Sequence, residues 1–299
     1  MKHYLGIDLG GTNVRVAKVT EDGQILQEIK APSFASESAE VILENVFKQI
    51  DAISDLDTIA GIGFAVPGPV DQEKGWMNMA SNIPALKHFP LVERVKSRYN
   101  IDVVMDNDAN VAGLAEALVG SGKGYPIVAY ITLSTGIGAG IVINGQTISG
   151  KNGYAGEIGN IIVDATLPKL NHLNHGAVEN EASGTALVRK ARARIDENIV
   201  HAGQLFDLVK EGHEEAIKIK NEMIDDLSIA FSAVAHVLDP HVFVLGGGVM
   251  KSADVFLDEF IESYKERVHT QMRNVEFKKA QLNEPGIVGA AMLPKSKGY

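Results

Sequence analysis

Apolar and polar positions alternate from the first residues of the chain. Val14, Val16 and Val19 punctuate "VRVAKVT", the segments "HYLGIDLG" and "QILQEIK" flank it, and Gly-Thr-Asn and Glu-Asp-Gly turns separate the three. Period-two patterning broken by such turns predicts an antiparallel meander of strands. The period then changes. Between Ala39 and Ile53, Ile42, Val46 and Ile50, joined by Leu43 and Phe47, recur at spacings of three and four, which predicts an amphipathic helix. A strand, "GIGFAVPG", follows, and another around Val103 to Asp108, "DVVMDND", leads into the small-residue helix "ANVAGLAEALVG".

At Gly120 to Tyr125 the Gly-rich connector "GSGKGYP" marks a domain boundary. It divides a small N-terminal domain of residues 1–119, joined by the C-terminal helix at about 286–299, from a large C-terminal domain of residues 120–285. Beyond the connector the pattern restarts. "IVAYITLSTGIGAGIVINGQTISG" again reads as strand, Gly-rich turn, strand, turn, strand, so the two halves are a duplication rather than a short-period repeat. From Ala182 the chain is mainly helical, interrupted by the strand "HVFVLGGG" and a short strand near Val275 to Phe277. A last helix, near Ile287 to Leu293, is expected to start after Pro285-Gly286, with Pro285 stopping what precedes it.

Composition narrows the function classes. A chain of 299 residues suits two domains, whose cleft is the expected place for a ligand. The hydrophobic fraction of 45% and charged fraction of 22% are those of a soluble globular protein. With 28 Lys and Arg against 38 Asp and Glu, the net charge of −10 disfavours nucleic acid and anionic membranes as partners. No cysteine is present, which excludes disulfides and thiolate catalysis and removes the usual ligands of structural zinc. The N-terminus has no long apolar run, and no later run approaches the ~20 residues that span a bilayer, so the cytoplasm is the expected location.

Candidate chemistry gathers at strand ends. Asp8 closes the first strand, and Gly10, Gly11 and Thr12 follow it. As a bare hairpin, the glycines would only supply positive φ. A carboxylate beside exposed backbone N–H groups, however, can hold Mg²⁺ while the amides cradle phosphate and Thr12 adds a hydroxyl donor. The turn from Ser134 to Gly140 carries more glycine than a hairpin needs, as suits amides that approach an anion closely. It is no Rossmann fingerprint, because Ile141 falls where the third glycine of G-x-G-x-x-G belongs, and no Walker A motif occurs. Gly246, Gly247 and Gly248 follow an apolar strand and precede a helix, and the ordered set of three glycine turns carries more weight than any one of them. Where strand gives way to helix at Asp106-Asn107-Asp108, one residue serves as N-cap, or one unpaired carboxylate takes a proton from an attacking hydroxyl; both readings stand.

With these residues assembled, the chain resembles the ROK family of bacterial sugar kinases and related repressors, within the actin and hexokinase superfamily. The resemblance runs from Ile7-Asp8-Leu9-Gly10-Gly11-Thr12 to Gly289-Ala290-Ala291. It implies an α/β fold class: a two-domain actin-like (ribonuclease H-like) ATPase fold with an interdomain cleft. It further implies that Asp8, Gly10, Gly11, Thr12 and Asn13, with Ser134, Thr135, Gly136 and Gly138, bind the phosphates of ATP, and that Gly246, Gly247 and Gly248 lie near the adenosine. Asp8 would place Mg²⁺, directly or through water. Asp108 would be the catalytic base and Asn107 would hold sugar hydroxyls, with Pro67-Gly68-Pro69 and Asn82-Ile83-Pro84 bordering the hexose. Glu157 and Glu179 match carboxylates near C1 and C2 of the sugar. The implied reaction is in-line phosphoryl transfer to a hexose hydroxyl, that on C6 of glucose being the first choice, in a homodimeric enzyme with apolar faces around Ala230 to Leu238.

One stretch departs from the family pattern. Members usually carry E-x-G-H followed by C-x-C-G-x-x-G-C-L-E, whose histidine and three cysteines bind zinc. Here Asn160 replaces the histidine, and Leu170, His172 and Ala177 stand at the cysteine positions, so no structural zinc is expected. His172, His175 and Glu179 as an improvised metal site are the weaker reading beside loop histidines bonded to solvent or backbone, or touching sugar. Because the family histidine also touches sugar, Asn160 bears on which sugar is accepted. N-acetylmannosamine, allose, fructose and β-glucosides therefore stay open beside glucose. From other classes, a sugar-sensing repressor-like protein without a DNA-binding domain and a catalytically silent scaffold are the rivals. The first strand starting at about His3 and the acidic charge speak against DNA binding.

Overall fold

The structure, a computed structural model, describes residues 2–299. Its first elements are β1 (His3–Leu9), β2 (Asn13–Thr20), β3 (Ile25–Pro32), α1 (Ala39–Asp51), β4 (Ile59–Val66), β5 (Val70–Asp71), β6 (Trp76–Met77), α2 (Leu91–Tyr99), β7 (Val103–Asn107) and α3 (Asp108–Val119). There follow β8 (Ile127–Leu133), β9 (Ile137–Ile143), β10 (Gln146–Thr147), α4 (Val178–Ala182), α5 (Gly184–Arg194) and α6 (Ala202–Lys210). The chain ends with α7 (Glu214–Leu238), β11 (Val242–Gly246), α8 (Ala253–Glu266), β12 (Glu276–Lys279) and α9 (Pro285–Ser296). Two compact units emerge. One holds the residues up to Val128, Gly140–Gly156 and Gln281–Tyr299; the other holds Ala129–Ala139 and Glu157–Ala280.

In the first unit the meander reads as the pattern requires, β1 pairing antiparallel with β2 and β2 with β3. β4 then joins β1 in parallel and β7 joins β4 in parallel, giving the order β3-β2-β1-β4-β7. Ile7, Val14, Val16, Ile62 and Phe64 bury their side chains in the same core as Ile42, Leu43, Val46, Phe47 and Ile50 of α1. Each such side chain contributes about 1.5–3 kcal/mol by leaving water. Ser38 starts α1 by accepting the Val41 N–H, 3.4 Å away.

The last helix seats on this sheet through glycines. A Cβ on Gly6 would lie 2.2 Å from the Ile287 carbonyl oxygen, one on Gly61 2.4 Å from Cβ of Pro294, and one on Gly63 1.8 Å from the Ala290 oxygen. On the helix itself, a Cβ on Gly289 would lie 1.9 Å from the Val111 oxygen of α3. The seam thus lets backbone meet backbone on both faces of α9. Its start corrects the sequence expectation. Pro285 opens the helix at its first position, where its missing N–H leaves no bond unmade, instead of standing ahead of it. The helix also continues past Leu293 through Pro294 to Ser296. Pro294 has no N–H to offer the Ala290 carbonyl four residues back, and that carbonyl is the one pressed against Gly63.

The second sheet has the order β10-β9-β8-β11-β12. Counted in its own chain order, this is third-second-first-fourth-fifth, the order of the first sheet too. The duplication read from the restarting glycine turns is therefore repeated in topology. The core of the second unit packs Ile131, Leu133, Phe243 and Leu245 of the strands against α5 to α8. Phe231, Phe243, Phe260, Tyr264 and Phe277 stack within it, with centroid separations from 4.9 Å for Phe231–Phe260 to 6.4 Å for Phe231–Phe277. The face of α7 around Ala230 to Leu238 is largely used here, since Ala230, Phe231, Val234 and Ala235 are buried in this core, while Val237 is 91% exposed. Among the described residues no helix is long and apolar enough to cross a membrane.

Candidate active site

In the first unit, β1 delivers Asp8 to the start of a turn closed by the Gly10 N–H donating to the Asn13 carbonyl at 3.0 Å. Thr12 accepts the Ser33 N–H at 3.0 Å, which ties the turn to the end of β3. Gly11 lies against Asn82: a Cβ there would sit 3.1 Å from the Asn82 carbonyl oxygen and 3.2 Å from its Cβ. Burial pushes the Asp8 carboxyl above its ordinary pKa, Arg15 pulls it back, and the negative charge of Asp108 pushes it up again. Asp8 and Asp108 are thus electrostatic neighbours, although they are a hundred residues apart in sequence. The parallel run β1-β4-β7 explains this, because it lines up the C-terminal ends of the first and last of these strands.

The cap question at the start of α3 resolves onto Asn107, whose Oδ1 accepts the Asn110 N–H at 2.9 Å. Asp108 is then the first helical residue and is not the cap. Its carboxylate is reached by solvent, yet enough protein surrounds it that burial raises its pKa, against the lowering effect of the Ala109 N–H bonded to Oδ1 at 2.8 Å. Asp106, which sequence reasoning left as a possible cap and nothing more, is 1% exposed and anchors the junction. Its Oδ1 accepts from the Asn107 N–H at 2.8 Å and Asn110 Nδ2 at 2.9 Å; its Oδ2 accepts from Gln72 Nε2 at 2.9 Å, Thr147 Oγ1 at 2.9 Å and Ser149 Oγ at 2.8 Å. Three of these donors come from elements distant in sequence, a relation no local pattern carries.

In the second unit, Ser134, Thr135 and Gly136 form the turn between β8 and β9, while Gly138 lies in β9 and not in the turn. The Ser134 N–H donates to Gly136 O at 2.9 Å, and the Gly184 N–H at the start of α5 donates to Ser134 O at 2.7 Å. Gly246 ends β11 beside β8, and Gly247 follows it. Gly247 has φ +91° and a Cβ on it would lie 2.3 Å from the Leu133 oxygen, so only glycine fits. A cavity of about 710 Å³ opens next to these turns, lined by Ser134 and Thr135, by Gly248 and Lys251, and by Thr185 and Phe206. Arg192 and His201 also line it. The residues from α5 and α6 are additions to the sequence reading, which carried no motif in that helical region.

Glu157, Asn160 and Glu179 lie in the second unit as well. Glu157 precedes a 3₁₀ turn at Ile158–Asn160, and Glu179 sits in the first turn of α4 with Oε2 accepting the Ile137 N–H at 2.8 Å. Asn160 Oδ1 accepts the Asn174 N–H at 2.7 Å, and Asn174 Nδ2 donates to Asn160 O at 3.3 Å. Asn180 Nδ2 donates to Leu170 O at 3.1 Å, and antiparallel bridges join Ile162 to Ala177 and Lys169 to His175. The four positions where the family resemblance puts zinc ligands therefore do not fit that ion. Leu170 and Ala177 have no donor, the Asn160 oxygen is engaged by Asn174, and His172 alone offers a ligand atom. His175 Nδ1 lies 3.3 Å from Leu167 O. Among the described residues no three His, Asp or Glu side chains gather as a metal site.

Two glycine-turned sheets of like topology, a cavity beside two of the turns and a carboxylate pair at parallel strand ends define an actin-like α/β fold of the sugar-kinase type. The comparisons agree. The profile of the ROK family matches residues 4–297. Glucokinase of Thermotoga maritima is 28% identical over 308 residues, covering 98% of this chain and 97% of that one. The ROK hexokinase of Thermus thermophilus superposes with a TM-score of 0.86 at 29% identity, over 98% of this chain and 97% of that one. A ROK family glucokinase from Streptomyces griseus, solved in complex with glucose and AMPPNP, superposes with a TM-score of 0.76 at 29% identity, over 97% and 98% of the two chains. The chain belongs to the ROK family.

Proposed function

We propose that this chain is an ATP-dependent hexose kinase that phosphorylates C6 of glucose or a closely related sugar, with Asp108 as general base. The observation that carries the reading is Asp108 itself: a solvent-reached carboxylate fixed at the first position of α3 by the Asn107 cap and the Asp106 anchor. Asp108 takes the proton of the attacking hydroxyl, while Asn82, Asn107, Glu157, Asn160 and Glu179 hold the other sugar hydroxyls. The Asp8–Thr12 and Ser134–Gly136 turns and Gly138 present backbone amides to the phosphates, and the cavity beside Gly248 takes the nucleoside. Mg²⁺ brought by ATP supplies charge neutralisation, and Asp8 is the carboxylate suited to hold it, because its repulsion with Asp108 leaves negative charge for a cation to offset.

The test is a panel of hexoses and aminosugars in an ADP-release assay. Glucose is expected to give the highest kcat/KM, and a panel in which no sugar raises ADP release above background removes the kinase reading. The same reading makes the protein a cytoplasmic homodimer that needs no zinc. Purified enzyme is expected to turn over at full rate without bound zinc; stoichiometric zinc in elemental analysis would contradict this.

A pH dependence follows from the raised pKa of Asp108. The base works only when deprotonated, so activity is full above its pKa and falls as pH drops through it. Since burial moves that pKa up, the acid limb of kcat/KM is expected above the ordinary aspartate value. A profile of kcat/KM against pH checks this, and a limb at the ordinary value of 3.8 counts against Asp108 as base.

A further inference from the structure

The carboxylate of Glu179 lies in a slot between two stretches of backbone. Its Oε2 accepts the Ile137 N–H at 2.8 Å. A Cβ on Gly136 would lie 2.5 Å from that same oxygen, and one on Gly159 would lie 3.2 Å from it and 2.5 Å from the Ile137 carbonyl oxygen. Neither glycine has a positive φ, so their lack of a side chain is used for space and not for backbone conformation. The slot exists because both positions are bare.

The same segment grips the turn at its other end. Gly184 and Thr185 donate their N–H groups to Ser134 O at 2.7 Å and Thr135 O at 3.4 Å. Ser183, which joins α4 to α5, caps α5 through the Ala186 N–H at 3.2 Å. Residues 179 to 185 therefore hold the Ser134–Ile137 turn from both sides, and Glu179 supplies the one side-chain hold among these bonds.

We infer that Glu179 is a positioning residue for the nucleotide as well as a sugar contact. Oε2 keeps the Ser134–Ile137 turn in the shape that receives phosphate, which leaves Oε1 for a sugar hydroxyl. This rests on the kinase reading above and deepens it: one carboxylate serves both the acceptor site and the turn that receives the donor.

The experiment is titration calorimetry of Mg²⁺-AMPPNP and of glucose, each alone, on wild type, Glu179→Ala and Glu179→Gln. A hydrogen bond to a charged group sets the scale, so Glu179→Ala is expected to weaken AMPPNP binding about tenfold or more with no sugar present. Glu179→Gln keeps an oxygen that accepts from Ile137, so it is expected to hold AMPPNP within about twofold of wild type while losing glucose affinity about tenfold. A Glu179→Ala protein that binds AMPPNP as wild type does overturns the proposal, because a residue touching sugar alone gives that result. If circular dichroism shows Glu179→Ala unfolded, Glu179→Met replaces it, since it fills the slot while offering the Ile137 N–H no oxygen. Weakened AMPPNP binding then supports the proposal and unchanged binding overturns it. A wild-type chain that binds AMPPNP but turns over no hexose removes the kinase reading, while the Ala and Gln comparison still decides whether Glu179 sets the turn.

Discussion

Asp108→Asn is expected to lower kcat by about 10²–10⁴-fold, the range a positioned general base contributes, with little change in the affinity for sugar or nucleotide. The substitution keeps size and hydrogen-bonding reach, and the Ala109 N–H can still donate to the amide oxygen as it does to Oδ1. The Asn107 cap is untouched, so α3 should start where it does now. What disappears is the basic atom. Steady-state kinetics with calorimetric affinities separates the two effects; a Asp108→Asn enzyme retaining more than a tenth of wild-type kcat would move the role of base to another group.

Asp106→Ala is expected to cost stability on the order of 3 kcal/mol or more, since a buried polar group left without its partner costs about 1–3 kcal/mol and several are orphaned together. Five donors lose their acceptor at once: Gln72 Nε2, Thr147 Oγ1, Ser149 Oγ, Asn110 Nδ2 and the Asn107 N–H. Water cannot readily replace it at a residue 1% exposed. Asp106→Asn should cost less, because the two hydroxyls can rotate to accept from the new amide. Urea unfolding of the pair gives the comparison, and a loss below about 1 kcal/mol for Asp106→Ala would show that the network is not tight.

These two neighbours show what a sequence can and cannot disclose. Alternation in "VRVAKVT" and the three-and-four spacing of Ile42, Val46 and Ile50 led to β2 and α1 within a few residues, because each pattern is local and reflects burial on one face. The position of Asp108 at a strand-to-helix junction was legible for the same reason. The anchoring role of Asp106 was not, since its partners Gln72, Thr147 and Ser149 stand 34, 41 and 43 residues away in the chain. The cavity escaped in a similar way: Thr185, Arg192 and His201 meet Gly248 and Lys251 only through folding. Pro285 reads from the sequence as standing ahead of the last helix, whereas a proline at the first helical position loses no bond and so opens it.

That glycine seam also bears on the order in which the protein can be made. Gly6 and Gly63 are synthesised well before α9, yet the surface they offer is filled by that helix. Until then β1 and β4 expose backbone at these glycines with no side chain to shield it. The first unit must therefore wait for the second to be synthesised before it can close, so a stalled or shortened nascent chain would present an open sheet to chaperones and to other nascent chains.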